Sequence, residues 1–184
     1  MSLLSLVGVE DGGFTAFKSD QSTLLCAVLM RGDRVESLRL GMVKVDGRDA
    51  TEVLLRMLVN IRCDSVILGG ISFAGFNVVD PHKLHDELSV PVIVYSSERP
   101  DSSSVFAALK AHFTDWEERW APILRLGDVY SVITKAGSPP VFFEVVGESR
   151  GWTEGVLRSC ASLTRAPEPI RFASIVARGL TRSA

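Results

Sequence analysis

Cysteine is scarce in this chain of 184 residues: Cys26, Cys63 and Cys160 stand far apart, and none forms a CxxC pair. That argues against a disulfide framework and against thiolate zinc ligation. An odd count at such spacing suits the reduced thiols of a cytoplasmic protein. Histidine is as rare, at three residues. His82 and His85 are spaced i, i+3 around Lys83, but a zinc site needs more ligands nearby, so they read as a solvated helix face. No apolar run reaches about 18 residues, so no membrane span and no membrane partner are expected. The opening MSLLSLVGVEDGGF has no basic start and no small-residue cleavage site, and it reads as a strand rather than a signal peptide. No GxGxxG follows a strand, and neither GxxxxGK[ST] nor GxSxG occurs. The usual nucleotide-binding loops and the serine-hydrolase elbow are therefore missing.

Charge of one sign is also lacking overall, since the net charge is −2. Its distribution is less even. From Glu148 to Ala184 there are six Arg, no Lys and three Glu, or +3, which leaves −5 for the remainder. The C-terminal end is thus a candidate for phosphate contact.

What is present is an ordinary core composition, 46% hydrophobic and 23% charged, enough for one domain spanning 1–184. Residues 4–9, 22–30 and 34–45 read as three strands joined by short turns, an antiparallel meander. In the third, the apolar parity slips at Gly41, which predicts a bulge there. Asp49 or Thr51 can cap a helix running to about Arg62, with Val53, Leu54, Met57, Leu58 and Ile61 on one face. Strands at SVIL (65–68) and PVIVYS (91–96) alternate with helices near PHKLHDEL and over PDSSSVFAALKAHF (100–113), which begins with capping residues, the sign of parallel pairing. DWEERWAPILRL predicts a helix broken near Pro122. Two strands then flank a Gly/Pro turn, and two helices over 152–182 pack on the domain. Three antiparallel strands followed by parallel ones, with flanking helices, predict an α/β ribonuclease H-like mixed sheet. The opening meander argues against flavodoxin-like and Rossmann alternatives.

Carboxylates collect at the predicted strand ends: Glu10 and Asp11 after the first, Asp46 and then Asp49 after the third, and Asp80 closing the stretch GGISFAGFNVVD. In a ribonuclease H-like sheet the ends of strands one and four are neighbours. Carboxylates there can hold one or two Mg²⁺ or Mn²⁺ ions, since hard ions take oxygen ligands, and two metals about 4 Å apart would activate water against a phosphodiester. Turns and helix caps use the same residues, so both readings stand. The glycines after strand four allow a tight turn and close approach to a ligand. Phe76 and Asn77 then lie by the strand-four crevice, where the Asn77 amide can meet a base or phosphate. In the last helix Arg171, Arg178 and Arg182 share one face, suited to phosphate or to solvent.

GVEDGGF, VDGRDAT, AGFNVVD and PEPIRFASIVA together resemble four signatures of the archaeal endonuclease dU family, formerly an uncharacterised archaeal domain family and related to endonuclease V. The resemblance runs over nearly the whole chain. It implies a ribonuclease H-like fold and metal-dependent hydrolysis of DNA phosphodiesters at deaminated bases such as deoxyuridine, a repair activity. It assigns catalysis to Glu10, Asp11, Asp46 and Asp80, Mg²⁺ or Mn²⁺ ligation to Asp11, Asp46 and Asp80, and nucleic-acid contact to Phe76, Asn77, Arg171 and Arg178. Three positions depart from the family pattern. Glu10 stands where an Asp is usual, Gly69 where a charged residue is common, and Ser174 where the motif RxAH carries His. Those departures motivate a second reading, a ribonuclease H-like domain that grips DNA or RNA without cutting. A third reading is a structural or protein-interaction module, a homodimer among its forms, with Trp116 and Trp120 as an aromatic patch.

Overall fold

The computed structural model describes residues 3–15 and 21–181. Arg182 of the predicted arginine stripe lies outside them. Seven strands form one sheet: β1 (Ser5–Asp11), β2 (Ser22–Arg31), β3 (Arg34–Lys44), β4 (Ser65–Leu68), β7 (Val92–Ser96), β8 (Tyr130–Val132) and β9 (Val141–Val146). Their order is β3-β2-β1-β4-β7-β9-β8. β1, β2 and β3 make the antiparallel meander, β1, β4 and β7 run parallel, and β8 and β9 close the far side antiparallel. A small hairpin of β5 (Ser72–Phe73) and β6 (Asn77–Val78) stands apart from the sheet.

Strand alternation divides the core between the two sheet faces. Val7, Val9, Leu25, Ala27, Val66, Leu68, Val92 and Val94 face one side, against α1 (Ala50–Leu58) and α2 (Pro81–Leu88). Leu6, Ile67, Ile93, Tyr95 and Phe143 face the other, with α5 (Arg150–Ser159) and the start of α6 (Glu168–Thr181). Cys26, Val28 and Met30 meet Ala173 and Ala177 farther along α6. α3 (Ser102–His112) and α4 (Trp116–Arg125) pack together, with the Phe106 ring edge-on to Trp116 at 5.4 Å and to Trp120 at 5.1 Å. The two tryptophans therefore belong to a helix–helix contact rather than to a bare aromatic patch.

Several local expectations need correction. The bulge lies not at Gly41 but between Ser37 and Val35, where the pairing with Leu29 and Met30 shifts register. Gly41 pairs regularly with Leu25. Its hydrogen faces α1, where a Cβ would lie 2.7 Å from both Val53 Cγ1 and Met57 Sδ. The parity slip thus marked a close helix–strand approach. α1 ends at Leu58 rather than near Arg62. α4 runs unbroken through Pro122.

The approach that most shapes the site is at Gly8 in β1. A Cβ there would lie 2.5 Å from Ile170 N and would overlap the Pro169 carbonyl. Only glycine lets the first turn of α6 rest on the strand backbone, and this sets the height at which the helix crosses the sheet. Gly8→Ala should lower stability by about 3 kcal/mol, the upper end for overpacking a tight contact, and should loosen α6. Urea unfolding together with limited proteolysis of α6 checks both effects.

Candidate functional site

β1 ends beside β4, with the Gly69 N–H donating to the Val9 carbonyl at 3.0 Å. Glu10 and Asp11 occupy this end. Being adjacent in an extended strand, they leave it toward opposite faces. Asp11 accepts a 2.5 Å hydrogen bond from the Ala74 N–H, in the turn between β5 and β6. Glu10 turns toward α6 and lies over Gly69. A Cβ at position 69 would lie 2.5 Å from Glu10 Cδ and would overlap its Oε1. The longer Glu10 side chain thus fills the space that any side chain at 69 would need. Two of the departures from the family pattern compensate one another in space.

Both carboxyls titrate high. Burial, and then the neighbouring Asp11 charge, push Glu10 up to about 7. Burial also raises Asp11, opposed by its hydrogen bond from Ala74. Among the described residues, Arg178 on α6 is the positive side chain that favours the ionised forms of both acids. The Gly8 contact therefore has a consequence at the site, because it seats the helix that carries Arg178. The same end of α6 is tied down by Thr181, whose Oγ1 accepts from the Gly13 N–H at 2.7 Å.

The other carboxylates expected to act have different work. Asp46 sits in the left-handed region (φ 53°) and accepts from the Phe76 N–H at 2.9 Å, while its own N–H donates to the Ala74 carbonyl. Asp49 accepts from the Asn77 amide at 2.7 Å. Asp80 caps α2 through the N–H groups of His82 (3.0 Å) and Lys83 (3.1 Å), and it pairs with Arg125 at 3.2 Å. Asp46 and Asp80 are thus engaged away from the end of β1, Asp46 with Phe76 and Asp80 with the start of α2. Among the described residues, no three His, Cys, Asp or Glu side chains gather into a group that could hold a metal. The donor set that remains is the pair Glu10 and Asp11. It suits Mg²⁺, which is commonly bound by one or two carboxylates, with waters and substrate phosphate completing the shell.

The proposed nucleic-acid contacts divide as well. Asn77 is fully buried. Its amide donates to the Lys44 carbonyl and to Asp49, and its Oδ1 accepts from the Ala50 N–H at 3.0 Å. Asn77 therefore caps α1 from across the fold and has nothing left to offer a base. Phe76 packs edge-on to Phe113 at 5.4 Å. Arg171 is paired with the buried Glu168 at 2.6–2.7 Å and stacks on Phe172. Arg178 is exposed and next to the acids.

Arg119 was not singled out by sequence reasoning. It is buried, donates to the Gly47 and Phe76 carbonyls at 2.8 Å, and pairs with Asp115 at 2.9 Å. It locks the β5–β6 hairpin to the end of β3. Its signal was the DWEER sequence, in which an acid and an arginine lie i, i+4. Glu144 was missed too, although an acid within VFFEVV is conspicuous. It is 7% exposed in β9, and its Oε2 has no hydrogen-bond partner.

The sequence model of the endonuclease dU family matches residues 3–181. The chain belongs to this family. A UPF0215 protein of Methanopyrus kandleri is 36% identical, over 97% of this chain and 92% of the relative. Another, from Methanosarcina mazei, is 32% identical over 97% and 91%. A crystal structure of a protein from Archaeoglobus fulgidus superposes with a TM-score of 0.85 at 22% identity, covering 96% of this chain and 98% of that one. Endonuclease V of Ciona intestinalis, solved with a 24mer DNA containing an inosine followed by a ribo-adenosine, gives 0.61 at 13% identity over 98% and 87%. These likenesses establish the ribonuclease H-like fold.

The raised carboxyls make stability depend on pH. An acid whose pKa rises on folding keeps its proton in the folded chain while the unfolded chain loses it. Stability should therefore fall as pH rises from 4.5, the ordinary value for Glu, to about 7, where Glu10 titrates. Glu10→Gln should flatten this fall by on the order of 2 kcal/mol. Thermal melts of both proteins at half-unit pH steps measure it. Equal slopes would show that Glu10 titrates normally.

Proposed function

We propose that this member of the endonuclease dU family is a divalent-metal-dependent endonuclease that cuts DNA at deaminated bases such as deoxyuridine. The carrying observation is the convergence of Glu10, Asp11 and Arg178 at the adjoining ends of β1 and β4, with Glu10 laid over Gly69. Two neighbouring carboxyls, both raised by burial and Glu10 also by the Asp11 charge, form a site that a cation would relieve. Family membership supports the endonuclease activity. The DNA-bound endonuclease V shares the fold and supports DNA as partner.

In this reading Mg²⁺ or Mn²⁺ would be held by Glu10 and Asp11, and the ion would supply Lewis-acid polarisation of the phosphodiester and a more acidic water. The chain's own groups do the remainder. Arg178, exposed on α6, meets a phosphate oxygen and offsets the charge that accumulates during displacement. The Ala74 N–H fixes one Asp11 oxygen and leaves the other free. Ser174 cannot serve as general acid or base at neutral pH. Proton transfer therefore falls to water, since Glu10 would be committed to the ion. The separate engagement of Asp46 and Asp80 favours one alternative, in which the domain binds nucleic acid without cutting it. That protein would show salt-sensitive binding and no metal-dependent product.

With Mg²⁺ or Mn²⁺, the protein should nick a labelled duplex carrying a single deoxyuridine, and excess chelator should abolish the product. Glu10→Gln and Asp11→Asn should each lose at least roughly 100-fold in rate. Asp80→Asn keeps a capping oxygen, so it should leave stability nearly unchanged and the rate within a few-fold. A gel-based nicking assay run beside thermal melts separates these outcomes. An Asp80→Asn protein that is folded but inactive would return Asp80 to the metal site. No nicking by the wild type on any damaged duplex would favour the binding-only alternative.

A further inference from the structure

The Glu144 carboxyl lies outside the site just described, and the proposed chemistry leaves it unused. It is 7% exposed, its Oε2 is unpartnered, and burial lifts it to about 7. A buried carboxyl oxygen without a hydrogen bond costs about 1–3 kcal/mol, and such groups persist where a ligand completes them. Glu144 also lines a cavity of about 130 Å³. Most of the lining is apolar, with Ile71, Val94, Val105, Ile123 and Leu126 among its walls, and Ser96 and Ser102 also border it. Apolar walls with one unpaired polar group suit a flat ring that carries a hydrogen-bond donor. A cavity of roughly 150 Å³ admits a benzene ring, so this one is sized for a single six-membered ring.

Its place in the fold is equally specific. Val9, Leu68, Val94 and Glu144 form one register row across β1, β4, β7 and β9. Glu144 therefore projects on the sheet face shared by Val9 and Asp11, since residues two apart on a strand share a face. Three strand spacings across and two residues along place Glu144 about 16 Å from Asp11 between Cα atoms. Gly70, the second residue beyond β4, borders the same cavity. A strand lying across the ends of β1, β4 and β7 can present its backbone to Glu10 and Asp11 and turn one base into this space.

We propose that this cavity receives a pyrimidine-sized base turned out of the strand and that Glu144 reads its ring N–H, as carried by the imide edge of uracil. The Glu144 carbonyl oxygen accepts from the ring N–H in either protonation state. The neutral carboxyl can also donate to the adjacent ring carbonyl, which makes the contact two-point. Turning a base out of its stack into a fitted pocket, with hydrogen bonds to its pairing edge, is a general way to select a base. The proposal rests on the reading of the protein as acting on nucleic acid, and it does not require cutting.

The test is therefore a binding measurement in chelator, where no cleavage occurs. Fluorescence anisotropy compares single-stranded oligonucleotides carrying one uracil, one N3-methyluracil or one abasic position in the same sequence. The wild type should bind the uracil strand at least tenfold more tightly than the other two. Glu144→Leu should bind all three alike and melt roughly a few degrees higher, because an unpaired buried carboxyl is gone. Glu144→Gln keeps an acceptor in place and should retain part of the preference. A wild type indifferent to N3-methylation overturns the proposal without any variant. So does a Glu144→Leu protein that keeps the preference or melts lower. Absence of nicking alongside an intact uracil preference would defeat the endonuclease reading and leave the pocket standing.

Discussion

The candidate site depends on a backbone contact. At Gly8 the first turn of α6 rests directly on β1, closer than any side chain would allow. The arrangement follows from that height. Small residues, Ala173 and Ala177, continue the contact along β2. Thr181 then fastens the far end of the helix to the segment after β1. Arg178 is one residue beyond Ala177, on the flank that meets the Glu10 and Asp11 charges. A helix held farther from the sheet by a larger residue at position 8 would withdraw that positive charge from both carboxyls.

The stretch Ala74–Gly75–Phe76 is organised by acids rather than surrounding a ligand. Asp11 takes the N–H of Ala74 and Asp46 takes that of Phe76, while Gly75 (φ 85°) makes the reversal between them. A Cβ at Gly75 would overlap the Asp46 carboxylate, so the glycine serves the acid's approach as well as the turn. Asn77 follows at once and joins β6, Asp49 and the first turn of α1. Arg119 closes the assembly from α4 by holding the Gly47 and Phe76 carbonyls. A rigid platform results at the carboxyl end of the sheet. In the proposed reading this rigidity matters to function, because a phosphodiester site depends on positions held to fractions of an ångström.

The architecture was legible in the chain because its signals are long and mutually consistent. Three alternating segments with tight turns must form a meander, and helices interleaved with SVIL and PVIVYS must form parallel pairs. Local details were lost where two causes leave the same trace. The parity slip at Gly41 looks like a bulge but is a helix contact with Val53 and Met57. The place of Glu10 and Asp11 at the end of β1 was legible. Asp46, Asp80 and Asn77 were read as chemistry and found as structure, because turns, caps and metal sites draw on the same short oxygen-bearing side chains. No local pattern separates those uses. Only the partners do, and for Asp46 and Asn77 they come from segments about 30 residues away.

Glu10 and Gly69 show how two apparent defects can be one arrangement. Taken singly, a glutamate in place of an aspartate displaces a carboxylate by one bond, and a glycine in place of a charged residue removes one. In space the extra methylene carries the Glu10 carboxyl over the neighbouring strand, into room that only glycine leaves open. One side chain then supplies the negative charge beside β4 that a residue at 69 would otherwise bring. The substitution is not neutral electrostatically. A site with a third acid would hold three negative groups around Arg178, whereas this one holds two, each raised by burial. A two-carboxylate site draws a cation less strongly and leaves more of its shell to water and phosphate. If Glu10 and Asp11 hold an ion as proposed, metal binding and nucleic-acid binding should be coupled more tightly in this chain than in one with three acids, since phosphate would complete what the protein does not supply.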